Sequence, residues 1–136
     1  MTIRFAENFE YAGVLEFYKT CNYYGGVQDE DKILIAIDNR IIGAVRICTE
    51  SGEKVLRGMQ VKPAWQGKGI GSAMLKYLVE HVDMSDCYCL PYKHLKGFYA
   101  LIGFKQLELQ EAPIFLVERL GKYLSSGSEI IIMKIN

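Results

Sequence analysis

Short β-branched and apolar runs, each bounded by turn residues, predict a meander in the first half of the chain. Thr2 to Glu7 reads as a strand, Lys32 to Ile37 as a second, Ile41 to Thr49 as a third and Lys54 to Val61 as a fourth. Asp38-Asn39-Arg40 joins the second and third as a hairpin, and Ser51-Gly52-Glu53 turns the chain into the fourth. A helix interrupts the meander early. Asn8 stands as its expected N-cap, and Tyr11, Val14, Leu15 and Tyr18 recur at helical spacing to about Cys21, where Asn22-Tyr23-Tyr24-Gly25-Gly26 breaks the pattern.

The second half alternates helices with strands. Met74, Leu75, Leu78 and Val82 form an apolar stripe on a helix from Ser72 to Asp83, with Lys76, Glu80 and Asp83 on the solvated side. Cys87 to Pro91 predicts a fifth strand, and a short helix through Phe98 and Tyr99 to Leu101 follows, closed by Gly103. Phe104 to Leu109 predicts a sixth strand and Glu129 to Ile135 a last one. Between them Pro113 suits the first turn of a helix whose apolar face would be Ile114, Val117, Leu120 and Leu124. The β-branched residues from Ile114 to Val117 leave a strand open there.

Composition narrows the classes. Sixteen basic and sixteen acidic residues in 136 cancel, so no charge excess points to nucleic acid or an anionic membrane. No apolar run reaches the length of a membrane span, and the N-terminus does not read as a signal peptide. A cytoplasmic protein of one domain, 1–136, is expected. Of four cysteines, Cys87 and Cys89 share one face of a strand, and no Cys/His spacing suits a metal, so free, mostly buried thiols and no metal are expected. A Cys89 nucleophile has no evident partner base.

The most informative run is Val61-Lys62-Pro63-Ala64-Trp65-Gln66-Gly67-Lys68-Gly69-Ile70-Gly71, set between a strand and a helix. Glycines at alternate positions let a ligand approach the backbone, and amides ahead of a helix N-terminus suit phosphate oxygens. A phosphate-binding Walker loop needs a Lys before Ser72, and a dinucleotide fingerprint needs Gly-x-Gly-x-x-Gly with an acid about 20 residues on. Neither is present. A glycine-rich turn without a ligand is the plain alternative.

The same run resembles the acetyl-CoA motif of the GCN5-related N-acetyltransferases, Gln/Arg-x-x-Gly-x-Gly/Ala, and Phe98-Tyr99-Ala100-Leu101-Ile102-Gly103-Phe104 is similar to that family's Phe-Tyr-x-x-x-Gly-Phe segment. The resemblance covers roughly Ile3 to Phe104. With the elements above, it implies a mixed α/β fold: a mainly antiparallel, twisted sheet of about seven strands, split after the fourth, with helices on both faces. It implies an acetyl-CoA-dependent N-acetyltransferase acting by direct attack of an amine on the thioester. A non-catalytic acyl-CoA-binding module of the same fold is the alternative.

Carried over residue by residue, the resemblance assigns the pyrophosphate to the amides from Gln66 to Ser72, with Lys68 adding a charge. The pantetheine arm falls along Met59, Gln60 and Val61. Gly58 marks an expected bulge that opens a slot toward the strand at Cys87. Tyr99 becomes the general acid for the leaving thiolate, against a plain packing role. The family's usual Asn seven residues before this Tyr is replaced by Tyr92, which takes the place of a pantetheine contact. The general base is open among Glu53, Glu50, His94 and a water chain.

The acceptor is the least defined. In the family the loop after the first helix shapes its site, so Tyr23 and Tyr24 become candidate pocket walls, and Asp29, Glu30 and Asp31 candidate attractants for an amine. Small amines, amino-acid derivatives and protein amino groups stay open as partners, and so does a homodimer.

Overall fold

A computed structural model describes residues 1–136. The predicted strands assemble into one seven-stranded sheet in the order β1-β2-β3-β4-β5-β7-β6. β1 (Thr2–Phe5), β2 (Lys32–Asp38), β3 (Arg40–Glu50) and β4 (Glu53–Val61) form an antiparallel meander. β5 (Tyr88–Cys89) joins β4 in parallel, and β7 (Met133–Ile135) pairs antiparallel with both β5 and β6 (Phe104–Gln106). The turn into β3 uses Asn39 at φ 64°, a left-handed conformation that Asn tolerates.

Alternation along the strands sends side chains to two faces. On one, Leu34, Val45, Ile47, Leu56 and Cys89 pack under α2 (Ile70–His81) and α3 (Lys96–Ala100). On the other, Ile33, Ile35 and Ala44 pack under α1 (Tyr11–Thr20), while Val55, Tyr88 and Ile132 pack under α4 (Ile114–Ser125). Met74, Leu75 and Leu78 form the buried stripe of α2, as their spacing predicts. No helix is long and apolar enough to cross a membrane.

Several expected details are corrected. The first strand ends at Phe5, and Glu7 rather than Asn8 caps the following turn through a reciprocal capping box with Glu10. Glu10 also accepts both guanidinium nitrogens of Arg4, which holds its carboxyl down at about 2. The sixth strand stops at Gln106 because a second capping box, Glu108 with Glu111, starts a short 3-10 turn. α4 is a helix, but its buried stripe is Leu116 and Leu120; Ile114 and Leu124 are exposed. Pro113 sits at its N-cap, one residue earlier than expected. β5 is only two residues long, although the chain beyond it continues to bond the 129–131 segment through Lys93, Tyr92 and Pro91.

Candidate active site

The parallel β4–β5 pairing ends after Val55↔Tyr88 and Leu56↔Cys89. Past that point β4 remains bonded to β3 alone and the β5 side turns toward β7, so the sheet parts. The divergence begins at Gly58, where β4 loses register with β3 between Ala44 and Arg46. Gly58 has φ 67°, and a Cβ there would stand 2.6 Å from the Tyr18 hydroxyl and 3.0 Å from Arg46 Nε. Only glycine meets both conditions, so the bulge read from sequence is built into the packing of α1 beneath it.

The parting opens a cavity of about 760 Å³ that passes from the α2/α3 face to the α1/α4 face. Met59, Gln60, Gln66 and Tyr92 line it, together with Tyr99, Tyr23 and Tyr24. Val61 and residues 67–72 do not; they form the end of β4, an exposed loop and the first turn of α2. Gln66 ties that loop to the strand by donating from Nε2 to the Val61 carbonyl at 3.0 Å.

The loop has the properties of an anion seat. Gly67 and Gly69 have φ 75° and 81°, and a Cβ at either would meet no atom within 4 Å, so the backbone faces open space. No backbone carbonyl accepts from the amides of Gly67, Lys68 or Gly69. These free donors precede the N-terminus of the 12-residue α2, where the helix dipole favours negative charge. Lys68 Nζ stands 5.3 Å over the Trp65 ring, which holds its charge beside the loop. Gly71 serves a different purpose from the one its spacing suggests. A Cβ there would stand 3.1 Å from the Phe98 ring, so this glycine lets α2 approach α3.

Tyr99 is 7% exposed and packs edge-on to Phe98 and Phe104. Its hydroxyl bonds to no group of the chain and is not among the enclosed polar atoms, so it opens to the cavity. Burial pushes its pKa above the usual phenol value, with a further contribution from Cys89. The four cysteines are free thiols. Burial raises Cys87 to about 11 and Cys48 to about 12, and carries Cys89 well above the ordinary thiol value.

The wall of the cavity formed by the 22–31 loop differs from expectation. Asp29 and Glu30 do not line the cavity, and Asp31 is buried against Arg46. Arg46 projects from β3 with its side chain 1% exposed, its Nη1 3.2 Å from Asp31 Oδ2 and donating also to the Gly26 carbonyl. Its Nη2 donates to the Tyr23 hydroxyl at 2.6 Å. The Gln28 amide and the Tyr11 hydroxyl complete the ties to Asp31. Arg46 is thus the anchor that holds the 22–31 loop, and Tyr23 with it, over the cavity; sequence reading did not single it out. Glu50, one of the candidate bases, is also committed. Its Oε1 accepts from Arg57 at 3.0 Å and its Oε2 stands 2.7 Å from Arg119. Glu53 is outside the lining, whereas His94 is part of it and stacks on Tyr92.

Comparison with known proteins fits this geometry. A family model described as an acetyltransferase (GNAT) domain matches residues 29–106, more than half of the chain. The chain belongs to the GNAT acetyltransferase family. No curated protein matches it by sequence comparison. Among solved structures, Escherichia coli ElaA superposes with a TM-score of 0.68 at 18% identity, each chain 99% covered. The ribosomal-protein-S18-alanine N-acetyltransferase of Escherichia coli gives 0.70 at 12% identity, with 98% of this chain and 92% of that one covered. The N-acetylglutamate synthase of Neisseria gonorrhoeae, solved with coenzyme A and N-acetyl-glutamate, gives 0.65 at 18% identity, with 99% of this chain and 35% of that one covered. At these identities the likeness is one of GNAT fold. α4, with Arg119, lies beyond the matched GNAT segment.

Proposed function

We propose that this chain, as one catalytic domain over residues 1–136, transfers an acetyl group from acetyl-CoA to a primary amine by direct attack on the thioester. The observation that carries the reading is the unpaired side of β4 beyond Leu56, set between the free amides of Gly67, Lys68 and Gly69 and the open hydroxyl of Tyr99. Residues from Gln66 to Ser72 hold the pyrophosphate, and the side of β4 turned away from β3 along Met59, Gln60 and Val61 holds the pantetheine arm as an added strand would. Tyr92 replaces a side-chain amide there and offers a phenol. When bound, acetyl-CoA supplies an activated acetyl thioester.

Tyr99 keeps its proton across the working pH range, because burial raises its pKa, and so it serves as a hydrogen-bond donor to charge developing on sulfur. Cys89 lines the same cavity, but burial holds it as the neutral thiol. That supports direct attack over an acylated cysteine, since the thiolate is the nucleophilic form. No carboxylate lines the cavity, and of the candidate bases only His94 does, so the amine meets no carboxylate base and reacts as the fraction already neutral. An amine of pKa about 10.4 is mostly charged at neutrality.

The test combines calorimetry with turnover. Acetyl-CoA should bind, and free thiol should appear only when an amine is added. Binding without turnover across a broad amine set would leave a non-catalytic acyl-CoA-binding module. kcat/KM should rise steadily from about pH 6 to 9 as the amine loses its proton, with no alkaline fall from Tyr99. An alkaline limb below pH 9 that is absent from Tyr99→Phe would show that Tyr99 loses its proton in that range, against the upward shift that burial gives it.

A further inference from the structure

The acceptor side of the cavity carries an unusual charge arrangement. Its lining holds Arg57 from β4 and Arg119 from α4, and no Asp or Glu. Glu50 stands behind them and contacts both guanidinium groups. All three are largely buried, with side chains 30%, 26% and 19% exposed for Arg57, Arg119 and Glu50. Two fixed positive charges against one negative leave the wall with an excess of one, because arginine does not deprotonate in proteins.

Arg119 is also incompletely satisfied. Its Nη2 contact with Glu50 lacks hydrogen-bond alignment, and its Nη1 is buried with no partner at all. Phe115, one turn earlier on α4, places its ring centroid 5.8 Å from the guanidinium carbon. Buried polar atoms without partners are rare in folded proteins and costly. A guanidinium with one nitrogen still unpaired, in the cavity lining together with a second arginine, can donate to a further carboxylate oxygen.

Resting on the acetyltransferase reading, we propose that Arg119 and Arg57 bind a carboxylate of the acceptor, so that the amine acetylated is a small one bearing a carboxylate, as a free α-amino acid does. One carboxylate brings the charge of the wall to zero, whereas a simple amine or a polyamine meets positive charge with nothing to offset it. A phosphate dianion overshoots the single excess charge. Tyr23, Tyr24, Tyr123 and Ile130 line the cavity nearby and give the rest of the acceptor an aromatic and apolar surround.

The test uses the full chain with acetyl-CoA and reads thiol release. The acceptors are the twenty common L-amino acids, their fully esterified forms, the decarboxylated amines and glucosamine 6-phosphate. The best amino acid should exceed its ester in kcat/KM by about 10–100-fold, the usual worth of a charge-assisted hydrogen bond. In Arg119→Met that ratio should fall toward one, through KM for the acid, with acetyl-CoA affinity unchanged. Calorimetry of the N-acetylated amino acids, as acids and as esters, on the CoA-loaded protein gives a readout that does not need turnover. The acid forms should bind at least tenfold more tightly. Esters, decarboxylated amines or the sugar phosphate used as well as the best acid would overturn the proposal. So would an acid preference that survives in Arg119→Met, or equal binding of acid and ester forms. Absence of turnover with every amine, alongside acid-selective binding, would instead reject the acetyltransferase reading and keep the carboxylate site.

Discussion

The two ends of the cavity are built from different materials. At the α2 end the groups that matter are backbone amides, freed by glycines within one contiguous loop. At the α4 end they are side-chain charges drawn from β3, β4, α4 and the 22–31 loop, and held in place by one another. A backbone seat depends on local conformation and, on the proposed reading, would meet a group common to every form of the donor. A wall of interlocked side chains can be changed one residue at a time without disturbing the loop. On the proposed reading substrate choice falls to the α4 end: the conformation of the loop is costly to alter, while the charges opposite are replaceable.

The largest effect is expected at the boundary between the two ends. Tyr99→Phe keeps the ring packing against Phe98 and Phe104 and deletes the donor, so kcat should fall by ~10²–10⁴-fold while the calorimetric Kd for acetyl-CoA is nearly unchanged. Equal kcat in the folded variant would reduce Tyr99 to packing. Next in size is Arg46→Met. It strips Asp31 of its buried counter-ion, and breaking such a pair costs about 3–5 kcal/mol. Denaturant unfolding should show that loss, and the acceptor KM should rise as the 22–31 loop loosens, with acetyl-CoA binding affected less. A variant whose donor affinity falls as far as its acceptor affinity would erase the distinction between the two ends.

Gly69→Val probes the loop alone. A β-branched residue at φ 81° is strained, and its side chain enters the open space above the free amides. Acetyl-CoA affinity should drop by roughly tenfold, with the acid-over-ester preference among acceptors retained. Gly71 is a poorer probe, because its replacement strikes Phe98. The smallest expected change is a gain. Gly121 lies inside α4, and a methyl group added there would meet nothing within 4 Å, so Gly121→Ala should add about 0.5–1 kcal/mol. Thermal unfolding should shift upward with kcat/KM unaltered, which would show that the α4 wall works as a fixed surface.

What sequence reading recovered follows the same division. The loop, the bulge at Gly58 and the Phe98–Phe104 segment are local in sequence, and their residue types are tied to backbone conformation or a short helix, so they could be read directly. The strands of the meander were legible because their apolar runs are long and bounded by turn residues, whereas the later strands were read longer than they are. Arg46 and Arg119 were not legible. One sits in a strand and the other on a helix, each looking like an ordinary surface charge until distant segments fold against it. Asp29, Glu30 and Asp31 misled for the same reason: three adjacent acids suggest an attractive rim, yet burial turns Asp31 inward to Arg46. The face of α4 was misjudged because Ile114 and Leu124 are apolar but stand at exposed positions near its two ends. Apolarity alone does not say which side of a short helix meets the sheet.

A sheet that stops pairing in its middle has acquired an edge where sheets normally have none. Exposed edges ordinarily invite other chains to add a strand, and proteins guard against this with charges, prolines or covering loops. Here the unpaired side of β4 faces the cavity, walled by Tyr99 of α3 on one side and by Tyr23 and Tyr24 of the 22–31 loop on the other. By parting only after Leu56 and Cys89, the fold turns its open edge inward, onto a cavity rather than onto a neighbouring chain.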